Sequence, residues 1–303
     1  MAGMPVARNG DVSIYYEVMG DEGDPPLLII NGLGSQCTNY RVEWCEMFVA
    51  EGFRVIRMDN RDVGLSTHFD DVPPDLQGVL AALGAGDPPA LAYTLADMAD
   101  DAVAVLDDLG IGTAHVMGLS MGGMIVQHLA ISHADRLRSL TSVMSSTGDP
   151  DVGHASTEAV ELMTAASPTD RDGYIARTIK GLHTWGSPAW QDDRRTAAIA
   201  GEAYDRAFDP AGQARQYLAI LSDGSRTAAL GSVTVPTLVM HGTADRLVDP
   251  SGGQRTAEAI PGARLELIEG MGHDYPPQVW PRWVELVTTH ARAADAASAP
   301  STS

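Results

Sequence analysis

The sequence predicts an α/β fold: a mostly parallel sheet covered by helices and interrupted once by a helical insertion. Three observations carry that prediction. Short apolar runs such as Leu27 to Ile30 read as strands buried on both faces, as in parallel sheets. Segments of helical period alternate with them, the clearest being Leu95, Met98, Ala102, Val105, Leu106 and Leu109. The alternation stops between residues 148 and 231 and resumes at Thr237.

Taken in order, residues 12–18 are rich in β formers and follow an Asn9-Gly10 turn, which predicts an opening antiparallel hairpin. Leu27 to Ile30 is the next strand and runs into Asn31-Gly32-Leu33-Gly34. A helix over 39–50 and a strand from Arg54 to Met58 follow. The helix around 95–109 carries Asp100, Asp101, Asp107 and Asp108, which read as its solvated face. Ala114 to Gly118 is a short strand, followed at once by a helix from Ser120 to about His133, and Leu140 to Met144 is a strand again. Beyond the insertion come a strand at Thr237 to His241, a helix near 251–260, a strand at Arg264 to Ile268 and a helix over 278–291. The chain thus divides into a main body (1–147 and 232–292), a helical cap (148–231) and an Ala/Ser/Pro-rich tail (293–303) expected to fray.

Composition narrows the function. Among 303 residues 44% are apolar, enough for a sizeable core. Twenty basic residues against 40 acidic ones give a formal charge of −20, which disfavours nucleic acid and anionic membrane as partners. No apolar stretch approaches the length of a membrane span. No basic segment followed by an apolar run opens the sequence, and Cys37 and Cys45 make no disulfide framework, so a cytoplasmic setting is expected.

Chemistry enters at Gly118-Leu119-Ser120-Met121-Gly122, a G-x-S-x-G pattern between a strand and a helix. A serine in so sharp a turn projects its hydroxyl, the flanking glycines allow close strand–helix approach, and the new helix aims N–H groups at a reacting carbonyl. Serine needs a base. Of nine histidines, His273 lies in a loop after the last strand, at the edge where parallel strands place ligands. The orienting carboxylate is read as Asp245, four residues past the strand ending at His241, while Asp249 before Pro250 reads as a helix cap. Asp274 is set aside as orienter because it neighbours His273 in sequence. The chain order Ser120, Asp245, His273 is that of α/β-hydrolases. No His or Cys pair has metal-ligand spacing, so neither metal nor cofactor is expected.

With these residues in view, the chain resembles an α/β-hydrolase over roughly residues 10–292. Asp59-Asn60-Arg61-Asp62-Val63-Gly64-Leu65-Ser66 is similar to the family's D-x-R-G-x-G-x-S segment, departing from it at Asp62 where glycine is usual. The D-x-R-D-x-G form and the Gly-Met-Gly-His turn resemble the branch containing aclacinomycin methylesterase. The resemblance implies an oxyanion hole made by the Leu33 and Met121 N–H groups, with Asn31 replacing the family's usual histidine. It implies hydrolysis of a small-molecule carboxylic ester through an acyl-enzyme. A cofactor-free perhydrolase or haloperoxidase, or a carbon–carbon bond hydrolase, would use the same three residues, and a non-catalytic ligand receptor would be expected to lack one. Arg61 reads as an ion-pair residue and Cys37 as a small packed hydrophobe. In the cap, Trp185 and Trp190 flank a short turn and are candidates either for packing against the main body or for roofing a substrate pocket.

Overall fold

The computed structural model describes residues 5–298. Eight strands form one sheet in the order β1-β2-β4-β3-β5-β6-β7-β8. They are β1 (Val6–Asn9), β2 (Val12–Met19), β3 (Pro26–Ile30), β4 (Arg54–Met58), β5 (Ala114–Leu119), β6 (Leu137–Val143), β7 (Thr237–Gly242) and β8 (Arg264–Ile268). The first two strands run antiparallel to their neighbours, and every pairing from β4 to β8 is parallel.

The helices are α1 (Val42–Ala50), α2 (Leu76–Ala85), α3 (Leu95–Asp108), α4 (Met121–Ser132), α5 (Thr157–Thr164), α6 (Arg171–Trp185), α7 (Asp193–Arg206), α8 (Pro210–Asp223), α9 (Thr227–Leu230), α10 (Ser251–Ala259) and α11 (Trp280–Ser298). Two apolar clusters lie against the sheet. One gathers Leu28, Ile30 and Val116 with Met98, Val105 and Ile125, from α3 and α4. The other gathers Ile29, Met117 and Met240 with Trp44, Phe48 and Trp283, from α1 and α11. Neighbouring positions on one strand thus feed opposite clusters, which is why these strands are apolar throughout. No helix among the described residues is long and apolar enough to cross a membrane.

Several expectations change. The helix foreseen from residue 39 begins at Val42, after a short turn of 3-10 helix at Cys37–Asn39. α2 was not foreseen. Its Leu76, Leu80 and Leu83 are exposed and only Val79 is buried, so its leucines do not mark a buried face. Asp101 is not solvated: it is fully buried, and both carboxylate oxygens meet Arg61, at 2.6 and 2.7 Å. The pattern missed this because Arg61, its partner, lies 40 residues earlier in the chain.

Two boundaries also move. α9 lies within the segment expected to form the cap, yet Leu230 belongs to the cluster beneath α3 and α4. Residues 293–298, expected to fray, continue α11, because Ala291 and Ala294 are buried one turn apart and carry the helix on; residues 299–303 lie outside the described residues.

Candidate active site

The carboxyl ends of the parallel strands converge on one edge. There β5 passes into α4 through Ser120, whose backbone takes φ 57° and ψ −117°. A non-glycine residue occupies this region only when its surroundings fix it. Here they do. The Ser120 N–H donates to Val143 O at 2.9 Å, and its carbonyl accepts from Ser145 Oγ at 2.8 Å and Met124 N–H at 3.2 Å. A Cβ on Gly118 would run into the Gly122 carbonyl, and one on Gly122 into that of Ile30. Glycine at both positions lets strand, turn and helix meet backbone to backbone.

His273 follows β8, and Asp245 follows β7. His273 Nε2 lies 2.9 Å from Ser120 Oγ, and Nδ1 lies 2.7 Å from Asp245 Oδ2. With Asp245 accepting, Nδ1 carries the proton, which leaves Nε2 free to accept from the serine hydroxyl. The other oxygen of Asp245 accepts the Leu247 and Val248 N–H groups, each at 2.9 Å. Burial alone would raise this carboxyl's pKa, but the charge of His273 and the hydrogen bonds of His241 and His273 outweigh it and hold it well below the usual range. Asp249 is a local cap, accepting from the Ser251 N–H at 2.9 Å. The structure therefore brings together the three residues singled out from the sequence.

The loop after β3 lies alongside. A Cβ on Gly32 would be 3.3 Å from that of Ser120, so glycine keeps this backbone against the serine. The N–H groups of Leu33 and Met121 have no acceptor among the described residues. Asn31 is buried and donates through Nδ2 to Met58 O at 2.6 Å, while its carbonyl accepts from Asn60 at 3.1 Å. Gly34 N–H donates to Gln216 on α8 at 2.8 Å, and Gln216 also donates to the Arg61 carbonyl at 2.7 Å. The loop is thereby fixed by the side-chain amides of Asn31, Asn60 and Gln216 bonded to main-chain groups, with no histidine at position 31.

Above these loops opens a cavity of about 650 Å3 whose wall includes Leu33, Ser120, Met121 and His273 from below and Trp185 and Trp190 from above. Trp190 also packs against the apolar cluster of α1 and α11, so its two candidate roles overlap in space. Among the described residues, Asp62, His68 and Asp209 bring ligand atoms within metal-binding reach of one another. However, Arg215 grips both Asp62 oxygens at 2.8 Å, and Tyr93 donates to one of them at 2.6 Å. This cluster is an ion-pair joint between the Asp59–Ser66 segment and α8. Asp62, standing where the resembled segment has glycine, takes a left-handed φ of 68°, which its ties to Arg215 and Tyr93 hold in place. Cys37 and Cys45 are buried and unpaired, and burial pushes the Cys45 thiol up to about 12.

Two residues, His241 and Ser187, escaped the sequence reading, and Asp274 was considered there only as the orienting carboxylate. His241 is fully buried beside Asp245, with Nε2 3.4 Å from its Oδ2 and 2.8 Å from Val248 O. Its position four residues before the carboxylate was the available signal. Ser187 and Asp274 meet between α6 and the His273 loop, a pairing across 87 residues that no local pattern announces.

Comparison with known proteins agrees with this fold. Residues 25–275 match the alpha/beta hydrolase fold family. The chain is 30% identical to rhodomycin D methylesterase DnrP of Streptomyces peucetius, over 94% of this chain and 97% of that protein. Among solved structures, a meta-cleavage product hydrolase from Pseudomonas fluorescens IP01 superposes with a TM-score of 0.72 at 20% identity, covering 96% of this chain and 98% of that one. The enol-lactonase of Burkholderia xenovorans LB400 gives 0.69 at 23% identity, covering 95% and 100%. Both structural likenesses speak to the fold.

Proposed function

This chain belongs to the α/β hydrolase fold family, and we propose that within it the protein is a serine esterase acting on small-molecule carboxylic esters. The observation that carries the reading is the unbroken hydrogen-bond chain from Ser120 Oγ through His273 to Asp245, at 2.9 and 2.7 Å. In this account His273 accepts the Ser120 proton as Oγ attacks the ester carbonyl, and Asp245 stabilises the imidazolium that forms. The developing oxyanion is taken by the free N–H groups of Leu33 and Met121, the latter aided by the N-terminus of α4. His273 returns its proton to the departing alcohol, leaving an acyl-enzyme. A water deprotonated by His273 then attacks the acyl carbon, and the acid departs as Ser120 regains its proton.

The cap and its pocket are part of the proposal. The helices within 148–231 cover the strand ends, and Trp185 and Trp190 form the apolar roof of the cavity. A space of about 650 Å3 suits an ester with one bulky side. The methylesterase relative suggests that the bulk lies on the acyl side and that a small alcohol leaves. A cytoplasmic setting fits the two buried, unpaired cysteines.

The reading is tested by a p-nitrophenyl ester series of increasing acyl size, with an aromatic methyl ester and peroxide-dependent halogenation run in parallel. Hydrolysis of bulky and methyl esters without a peroxide requirement is the expected result. Halogenation outpacing hydrolysis would assign the same three residues to peroxide chemistry instead.

A further inference from the structure

We propose that Ser187 and Asp274 are positioning residues for His273, a latch through which the cap sets the alignment of the base. The proposal rests on the serine-esterase reading above and adds to it a part played by the cap in the chemistry itself.

The latch joins the turn that ends α6 to the loop after β8. Three consecutive residues of that loop are tied to the turn. Gly272 N–H donates to Ser187 Oγ at 2.9 Å, and His273 N–H donates to the Trp185 carbonyl at 2.7 Å. Asp274 Oδ1 accepts from the Ser187 N–H at 2.9 Å and also from the Ser187 hydroxyl. The Ser187 hydroxyl thus accepts once and donates once, so its single proton is committed. Ser187 is fully buried, so water cannot replace what it provides. The backbones are in direct contact as well: a Cβ on Gly272 would collide with Trp185 and Gly186.

The loop needs such restraint. It contains Gly270, at φ 71°, and Gly272, whose missing side chains leave the backbone soft. The imidazole must nevertheless meet Ser120 Oγ and Asp245 Oδ2 together. From the main body the loop is anchored by Tyr275, whose hydroxyl donates to Asn39 O at 2.8 Å and whose ring lies 5.5 Å from that of Trp44. On the other side the main body holds the buried Met271, whose carbonyl accepts the Ala244 N–H at 2.9 Å, and the three residues from Gly272 to Asp274 are tied to the cap. Asp274 is itself largely buried, which pushes its pKa up against the pull of the Ser187 hydrogen bonds, so loss of the Ser187 hydroxyl would leave its carboxylate only the Ser187 N–H.

Steady-state kinetics of Ser187→Ala, Asp274→Ala and Asp274→Asn, on p-nitrophenyl acetate and on a bulky ester, test the latch. An imidazole displaced by a fraction of an ångström should lower kcat on the order of 10- to 100-fold. Ser187→Ala and Asp274→Ala should show that loss equally on both esters, with KM within about twofold, because the fault lies in the base and not in the pocket. Asp274→Asn keeps a carbonyl oxygen for Ser187 and should recover most of what Asp274→Ala loses. The double variant Ser187→Ala/Asp274→Ala should be no worse than the poorer single one, since both break one link. The low-field proton resonance of the His273–Asp245 hydrogen bond should shift or broaden in Ser187→Ala and persist in Asp274→Asn. A Ser187→Ala enzyme with kcat within about twofold of the parent and an unchanged resonance would overturn the proposal, as would a loss confined to the bulky ester. Should Ser187→Ala fail to fold, the contrast between Asp274→Ala and Asp274→Asn decides alone: equal activities end the proposal. Ser120→Ala is run alongside. If it retains turnover, the esterase reading itself has failed; if it is inactive while the Ser187 and Asp274 variants match the parent, the latch alone has failed.

Discussion

At the ends of β5, β7 and β8, Ser120, Asp245 and His273 are held by partners largely closed to water, whereas α6 and α7 above them are joined by ion pairs in solvent. The Arg61–Asp101 pair beside the active-site loops has side chains only 6% and 1% exposed. In the Arg171–Asp205 pair linking α6 to α7 the figures are 47% and 59%. Eight residues of α4 are buried, while Gly181 is the only buried residue of α6. The difference teaches where change is tolerated. The loops bearing these three residues are fixed by backbone contact and buried charge, so most substitutions there should break something. The exposed ion pairs of α6 and α7 are exchangeable, and substrate preference can drift at those surfaces at little cost to folding.

The largest effects should come from the loops. Ser120→Ala or His273→Ala should lower ester turnover on the order of 10³-fold or more, and residual activity within about tenfold of the parent would break the assignment. Asp245→Asn should be severe, and far worse than Asp249→Asn, whose carboxylate accepts the Ser251 and His154 N–H groups and lies outside the hydrogen-bond chain to Ser120. The reverse ranking would identify Asp249 as the orienting carboxylate.

Next comes stability. Asp101→Ala leaves the buried Arg61 guanidinium without its counterion and should cost about 3–5 kcal/mol in urea unfolding. Asp205→Ala removes the exposed partner of Arg171 and should leave the unfolding midpoint unmoved. Similar losses from both would erase the contrast between the regions.

A smaller, selective effect is expected at the cavity roof. Trp185→Ala and Trp190→Ala should weaken transition-state binding of bulky esters by about 1–3 kcal/mol while leaving acetates nearly untouched. Comparing kcat/KM for the two ester sizes checks this. Proportional losses on both would make the tryptophans scaffold.

The sign of each histidine's pH-linked stability follows its surroundings and not its region, since at His68 in the main body burial is outweighed by the hydrogen bond to Asp209, which pushes it up. In the main body, burial pushes His115 and His128 down to about 4, Arg226 adding to the effect at His128. The unfolded chain protonates each near pH 6.5, and the folded chain not until about pH 4. Their contribution is therefore full above about pH 6.5 and is lost as pH falls through that window. His183 in the cap is pushed up by its hydrogen bonds to Asp193 and Gln191, so its contribution has the opposite sign and is lost as pH rises. It is exposed, and the buried pair should dominate: the urea midpoint should fall between pH 7 and pH 4.5, and a flat or rising midpoint would contradict this.

Legibility followed the same division. Ser120, Asp245 and His273 could be read because each sits in a short pattern set by its own strand end. The strands of β3 and β5 could be read because burial on both faces leaves an unbroken apolar run. What could not be read depended on distant partners. Asp101 looked solvated because Arg61 lies in another segment, and the contact of Asp274 with Ser187 was hidden because the two are 87 residues apart. The end of α11 was misjudged because an Ala-rich stretch reads alike as tail or helix until Ala291 and Ala294 find a surface to cover. Asp62 was noticed as a departure from the family pattern, but its left-handed backbone and its grip on Arg215 required the position of α8.

The central claim is that Ser120 is a nucleophile activated by His273. Labelling by a fluorophosphonate, with the modified residue located by mass spectrometry, tests it most directly. The account predicts one label per chain on Ser120, with the labelling rate reduced on the order of 10³-fold in His273→Ala. A label elsewhere, no label, or an unchanged rate in His273→Ala would contradict it.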